Sequence, residues 1–255
     1  MPMEIVIAVK IKMVTFLTPE NWETPQKILV VLAHPDDPEF FCGATLARWI
    51  AAGHQVSYCL LTCGDKGTKD RSLTSDALCN LRQSEQRTAA VEMGVSGVRF
   101  LSYEDGYLVA DLKLRRDVTR VIRQEQPDVM VTCDPTALFI RNNYVNHPDH
   151  RAAGLAALDA VFPAARDHLN FIELWRDEGL EPHIVREVWV SLALEPNVTL
   201  DVSDYWEKKI RALYAHASQI GDPQAFAERM RSRHTPDSTP DTPRYEERFR
   251  RIVFG

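Results

Sequence analysis

Residues 27–33, KILVVLA, carry no polar side chain between Ile28 and Ala33. A strand with one wet face alternates apolar and polar residues. An unbroken aliphatic run of this length suits a strand buried on both faces, the situation of strands in a parallel sheet covered by helices. QVSYCLLT (55–62), VRFL (98–101), DVMVTC (128–133) and REVWVSLAL (186–194) are further strand candidates. Between them stand helical patterns. GATLARWIAAG (43–53) ends at Gly53, and SDALCNLRQSEQRTAAVEMG (75–94) has Ser75 or Asp76 as its cap and ends at Gly94. DLKLRRDVTRVIRQEQP (111–127) is stopped by Pro127, and HRAAGLAALDAVF (150–162) and SDYWEKKIRALYAHASQI (203–220) complete the set. The β-α-β-α order predicts an α/β fold: a Rossmann-like doubly wound, mostly parallel sheet with helices on both faces and right-handed crossovers.

The 255 residues suit one such domain. Residues 27–221 are expected to form it. An N-terminal extension, 1–26, precedes it, and its residues 1–17 are read as a candidate added strand. The stretch 222–255, rich in charge and carrying Pro223, Pro236, Pro240 and Pro243, reads as an irregular surface tail that packs on or lids the domain. The apolar start of the chain is interrupted by Glu4, Lys10 and Lys12, so it is too short and too charged to span a bilayer, and it lacks a clear small-residue cleavage site. A net charge of -6 without any basic run argues against nucleic acid as a partner. The five cysteines are odd in number and have no redox or zinc-knuckle spacing. They read as small buried hydrophobes in a reducing, cytoplasmic setting.

Two segments carry chemistry. AHPDDPEF (33–40) follows the first strand, and NHPDHRAAG (146–154) follows the fourth and opens a helix. They gather His34, Asp36, Asp37, His147, Asp149 and His150, a mixture of imidazole and carboxylate that suits zinc. In a 3-2-1-4-5 strand order, strands one and four are neighbours and a crevice opens at their carboxyl ends, so the two loops should face each other. Pro35 limits the first loop so that His34 and Asp37 can turn to one ion, while Asp36 points elsewhere. His147 and His150 can both point inward, one as ligand and one further out. Either motif alone could be a turn or a helix cap; their joint occurrence in adjacent loops is what points to a metal centre. Three protein ligands with an open position would be the catalytic arrangement.

The motifs LVVLAHPDD (29–37) and HPDHRAAG (147–154) resemble those of the PIG-L / LmbE-like N-deacetylase family. Weaker matches are CLLTCGDKG (59–67), LRQSEQRTAAVEMGV (81–95), FLSYEDGYL (100–108) and KKIRALYAHASQ (208–219). The resemblance implies one zinc per chain held by His34, Asp37 and His150. It implies Asp36 as general base on the attacking water, His147 as stabiliser of the oxyanion or proton donor to the leaving amine, and Asp149 as the residue that orients a histidine. Substrate contacts map onto Arg82 and Asp105. A family tyrosine ahead of the second motif is not matched, since Val145 stands two before His147 and Tyr144 lies beside it. Phe139, Arg141, Asn142 and Asn143, in the long segment before that motif, are candidates to shape a substrate pocket. Asp65 and Lys66 are candidates for its rim, and His216 and Gln219 read as structural polar residues. The implied reaction is hydrolysis of an N-acyl, chiefly acetyl, group from an amino-sugar-like small molecule such as an N-acetylglucosaminyl conjugate. By family analogy a homo-oligomer is expected. The residues alone also admit a metal-dependent amidase or esterase of another small conjugate, or a non-enzymatic α/β ligand-binding module.

Overall fold

The computed structural model describes residues 20–140, 144–239 and 241–254. The proposed N-terminal added strand and the pocket candidates Arg141, Asn142 and Asn143 lie outside the described residues. The first half of the chain runs β1 (Lys27–Leu32), α1 (Asp37–Ala51), β2 (Gln55–Thr62), α2 (Ser75–Met93), β3 (Gly97–Tyr103), α3 (Leu112–Glu125) and β4 (Val129–Cys133). A short hairpin follows, β5 (Phe139–Ile140) and β6 (Tyr144–Val145), then α4 (Pro148–Val161), α5 (Ile172–Arg176) and β7 (Glu187–Ser191). The chain ends through β8 (Val198–Asp201), α6 (Trp206–Tyr214), α7 (Ala217–Ile220), α8 (Pro223–Arg231) and β9 (Glu246–Val253).

The main sheet has the order β3-β2-β1-β4-β7-β9-β8. Its first five members are parallel and match the 3-2-1-4-5 expectation, with β7 as the fifth strand. The strand β1 is buried on both sides, as its composition requires. Ile28, Val30 and Leu32 face one core with Leu46, Trp49, Trp189, Ile210 and Leu213. Leu29 and Val31 face the other, with Leu114, Val118, Ile122, Ala153 and Ala157. Each such buried aliphatic side chain contributes about 1.5–3 kcal/mol, which makes the central strand the anchor of both layers. No helix among the described residues is long and apolar enough to cross a membrane.

Several expectations are corrected. The stretch 246–253 is not an irregular tail. It enters the main sheet as β9, antiparallel between β7 and β8. Its dense charge hid the alternation that buries Glu247 and Phe249. Second, α1 starts at Asp37, six residues before Gly43, and is broken at Cys42 (φ -148°). Beyond the break, the Glu247 carboxylate accepts hydrogen bonds from Ala44 N and Thr45 N at 3.3 and 2.8 Å. A cap supplied from more than 200 residues away leaves no local signal. Third, the long helix expected over 203–220 is divided into α6 and α7, and α2 is capped by Thr74 Oγ1, which accepts from Ala77 N, in place of Ser75 or Asp76. Fourth, the cysteines are not all free thiols. Cys63 and Cys79 form a disulfide, while Cys42, Cys59 and Cys133 are buried and free. The two partners lie 16 positions apart, one just past β2 and the other in α2, so spacing does not betray them.

Candidate metal centre

Parallel pairing of β1 with β4 (Ile28↔Val129 to Val30↔Val131) ends both strands at one edge. The loop at 33–36 leaves from one, and the segment leading to α4 leaves from its neighbour. His34 (7% exposed), Asp37 (3%) and His150 (9%) meet there. One ligand atom from each lies within 4.8 Å of the others.

Hydrogen bonding sets the ring tautomers. Asn146 Nδ2 donates to Ala137 O at 2.8 Å, which fixes its amide so that Oδ1 faces His150 Nδ1 at 2.9 Å. An amide oxygen only accepts, so His150 Nδ1 carries the proton and Nε2 bears a lone pair. That Nε2 sits 3.1 Å from Asp37 Oδ1. His34 Nε2 faces two carboxylate oxygens, Asp105 Oδ1 at 3.1 Å and Asp149 Oδ2 at 3.2 Å, so it carries the proton. His34 Nδ1 is left 3.4 Å from Asp37 Oδ2. Two ring lone pairs therefore converge on one carboxylate, an arrangement that repels itself unless a cation or protons lie between them. The donor set fits a first-row ion such as zinc. Burial alone would lower the His34 pKa, but the facing Asp37, Asp105 and Asp149 raise it well above the usual imidazole value. Burial pushes the Asp37 carboxyl up, and His150 and His34 outweigh it and hold it well below the ordinary carboxylate range.

A second trio, His34, His147 and Asp149, is equally compact. Two of its residues already bond backbone amides. The Asp149 oxygens accept backbone N–H groups of Gly106 at 2.7 Å and Leu108 at 3.2 Å, and His147 Nδ1 accepts from Asp149 N at 3.2 Å. That bond leaves the proton of neutral His147 on Nε2. Burial, with His34 nearby, lowers the His147 pKa and favours this neutral form.

Asp36 occupies a left-handed conformation (φ 88°), uncommon for any residue with a Cβ and costing about 1–3 kcal/mol. Its Oδ2 accepts from Arg82 Nη2 at 3.1 Å. Burial pushes the Asp36 carboxyl up to about 6, against the lowering influence of Arg82.

The profile of the family described as GlcNAc-PI de-N-acetylase, PIG-L, matches residues 29–161, about half of the chain and every residue named in this centre. The chain belongs to the PIG-L family. A diacetylchitobiose deacetylase of Thermococcus kodakarensis is 33% identical over 201 residues, covering 79% of this chain and 73% of the relative. The crystal structure of the N,N'-diacetylchitobiose deacetylase from Pyrococcus horikoshii, complexed with an inhibitor, superposes with a TM-score of 0.80 at 29% identity, covering 93% of this chain and 88% of that one. A hydratase, GalB of Pseudomonas putida, shares the fold at a TM-score of 0.70 and 20% identity, covering 90% and 97%.

Within this PIG-L domain, the residues singled out from sequence fall in two shells. His34 is shared by two compact groups, one with Asp37 and His150 and one with His147 and Asp149, and Asp36 precedes Asp37 and contacts Arg82. Asp105 joins them through His34, and its Oδ2 also accepts from Lys66 N at 3.2 Å. Arg82 is 5% exposed, and its amino groups donate to Gly64 O, Pro35 O and Asp36, so it braces the first loop. A Cβ at Gly64 would stand 2.3 Å from Arg82 Nη1, which explains the glycine. Lys66 pairs with Asp65 and Glu104 and lies 5.0 Å over the Tyr107 ring, and Tyr107, Phe139 and Tyr144 are exposed. Gln219 donates to Ser218 at the surface, while His216 is fully buried against Glu39 at 3.3 Å. Sequence reasoning missed three members: Asn146, Glu39 and Gln86. The first directly precedes the second motif. The last lies one helical turn after Arg82 on the same face of α2, a spacing that could have flagged it.

Proposed function

We propose that this chain is a zinc-dependent N-deacetylase acting on a small amino-sugar-like substrate, such as an N-acetylglucosaminyl conjugate. The observation that carries the reading is the convergence of the His34 Nδ1 and His150 Nε2 lone pairs on Asp37, with a second carboxylate, Asp36, next in the chain. The deacetylase names of the relatives support it, and so does the site's position at the carboxyl ends of parallel strands.

In this reading His34, Asp37 and His150 hold one zinc ion. Bound zinc supplies Lewis acidity to water and to an acyl carbonyl. The chain's own residues do the rest. Asp36 accepts a proton from the attacking water at Oδ1, since Oδ2 is held by Arg82. The neutral His147 Nε2–H donates to the carbonyl oxygen as it gains negative charge. The proton held by Asp36 passes to the departing nitrogen, so that one amide and one water become an amine and acetate. Asp149 and Asp105 keep the His34 ring turned and its Nε2 protonated, the task of carboxylates behind metal-bound imidazoles. A carboxyl raised toward neutrality suits a group that takes and returns a proton near pH 7.

The test is acetate release from N-acetylglucosamine, N,N'-diacetylchitobiose and matched acetyl esters, with metal content measured on the same sample. Expected are one zinc per chain, amide hydrolysis that stops on chelation and returns with zinc, and no bound zinc in His150→Ala. Turnover by metal-free protein, or zinc-loaded protein that cleaves esters and spares every amide, would overturn the reading.

A further inference from the structure

The sequence motifs left over by the metal centre are LRQSEQ on α2 and the histidine of YAHASQ before α7. The fold joins them to Asp36 through one buried chain of hydrogen bonds. Asp36 N donates to Gln86 Oε1 at 2.8 Å. Gln86 Nε2 donates to both oxygens of Glu39, at 3.1 Å each. The third link is His216 Nε2 against Glu39 Oε2 at 3.3 Å. Glu39, Gln86 and His216 are each 0% exposed. Hydrogen-bonded networks of buried polar groups rigidify what they touch, and every group along this path is paired except the far ring nitrogen of His216, Nδ1. Here the terminus of the chain is the amide of the strained residue. Phe40 N donates to Asp36 O at 2.9 Å and Arg82 grips Oδ2, so the residue is held at its amide, carbonyl and carboxylate together.

We infer that Gln86, backed by Glu39 and His216, is a positioning residue that locks Asp36 in its left-handed conformation and so aims its carboxylate. This rests on the deacetylase reading for its kinetic consequence, though not for its structural one. The direction of the links matters. The Gln86 oxygen must receive the Asp36 amide proton, and its nitrogen must give to Glu39. Replacing Gln86 by glutamate sets two carboxylates against each other in a dry site. Exchanging the pair, Gln86→Glu with Glu39→Gln, gives each junction a donor and an acceptor again, with the middle link reversed: the carboxylate at position 86 receives the Asp36 amide and the new amide at position 39, whose oxygen receives His216 Nε2–H.

The experiment compares the parent with Gln86→Met, Gln86→Glu and the exchanged pair. It measures kcat, KM, zinc per chain and the backbone of Asp36 by crystallography. For Gln86→Met we expect kcat to fall about 10- to 100-fold, with KM within about twofold. Zinc should stay at the parental level, and Asp36 should relax to negative φ while His34, Asp37 and His150 superpose. Gln86→Glu should lose at least as much, and the exchanged pair should recover most of it. A folded, zinc-loaded Gln86→Met with parental kcat, or with Asp36 still left-handed, overturns the inference. If that variant does not fold, the other two decide: equal kcat in Gln86→Glu and the exchanged pair also overturns it. A parent that releases no acetate from any acetylated amino sugar would sink the deacetylase reading, and the Asp36 backbone would still judge the positioning claim.

Discussion

His34 and Asp149 lie 115 positions apart in the chain and meet at 3.2 Å, His34 Nε2–H pointing at Asp149 Oδ2. The same carboxylate receives the amides of Gly106 and Leu108. Asp149 is thus an acceptor on every side, and an asparagine there must turn an NH2 group toward another N–H. Asp149→Asn should weaken zinc binding about 10- to 100-fold through misorientation of His34. Competition with a coloured chelator measures this, and unchanged affinity would remove Asp149 from the site.

Asp36→Asn keeps an oxygen for Arg82 but cannot take up a proton. It should retain one zinc per chain and lose about 10²- to 10⁴-fold in kcat. Paired metal analysis and kinetics decide it; a variant turning over at the parental rate would exclude Asp36 as the base.

The link between Cys63 and Cys79 ties the end of β2 to the first turns of α2, beside Gly64 and Arg82. Denatured protein kept from reductant should titrate three thiols, those of Cys42, Cys59 and Cys133, and five after reduction. Closing a loop of this size contributes about 3 kcal/mol, so reduction should lower the Tm by roughly 6–12 °C. Five thiols without reductant would refute the bond.

Gly154 in α4 lies against the end of β4. A Cβ there would stand 2.2 Å from Cys133 O and 3.1 Å from Pro135 N, both backbone atoms that cannot swing aside. Gly154→Ala should cost about 1–3 kcal/mol or more and displace the first turn of α4, which carries His150. Calorimetry and zinc content should both fall; a Tm within a degree of the parent would show that the helix can shift freely.

Glu187, on β7, ties Trp22, Trp189 and Arg251 together at 2.9–3.1 Å. Burial pushes its carboxyl up, but hydrogen bonds from Arg251, Trp22 and Trp189 outweigh this and leave it below the usual glutamate value of 4.5. A depressed folded-state pKa means that the unfolded chain takes up the proton first. The stabilisation is therefore complete above the unfolded value and drains away as pH falls through it and on toward the folded one. Urea midpoints taken from about pH 6 to about pH 3 should fall less steeply in Glu187→Gln than in the parent. Parallel slopes would show that Glu187 is not linked to acid unfolding.

Much of this molecule was legible in its residues. The unbroken aliphatic run of β1 demanded burial on two faces, and that demand dictates a helix-covered parallel sheet. The spacing of His34, Pro35 and Asp37, repeated in kind at His147 to His150, marked imidazole and carboxylate groups that the fold gathers at two strand ends. Periodicity and short motifs are local signals, and these features are local. What the tertiary structure alone decided is of another kind. Glu247 caps α1 across the whole chain, β9 slips into the sheet under a coat of charge, Cys63 finds Cys79, and Gln86 reaches the amide of Asp36. Each is a pairing between distant groups whose strength depends on burial and on a partner's exact direction. A hydrogen bond or a disulfide imposes no pattern on the residues between its ends, so only the folded chain reveals which distant side chains meet.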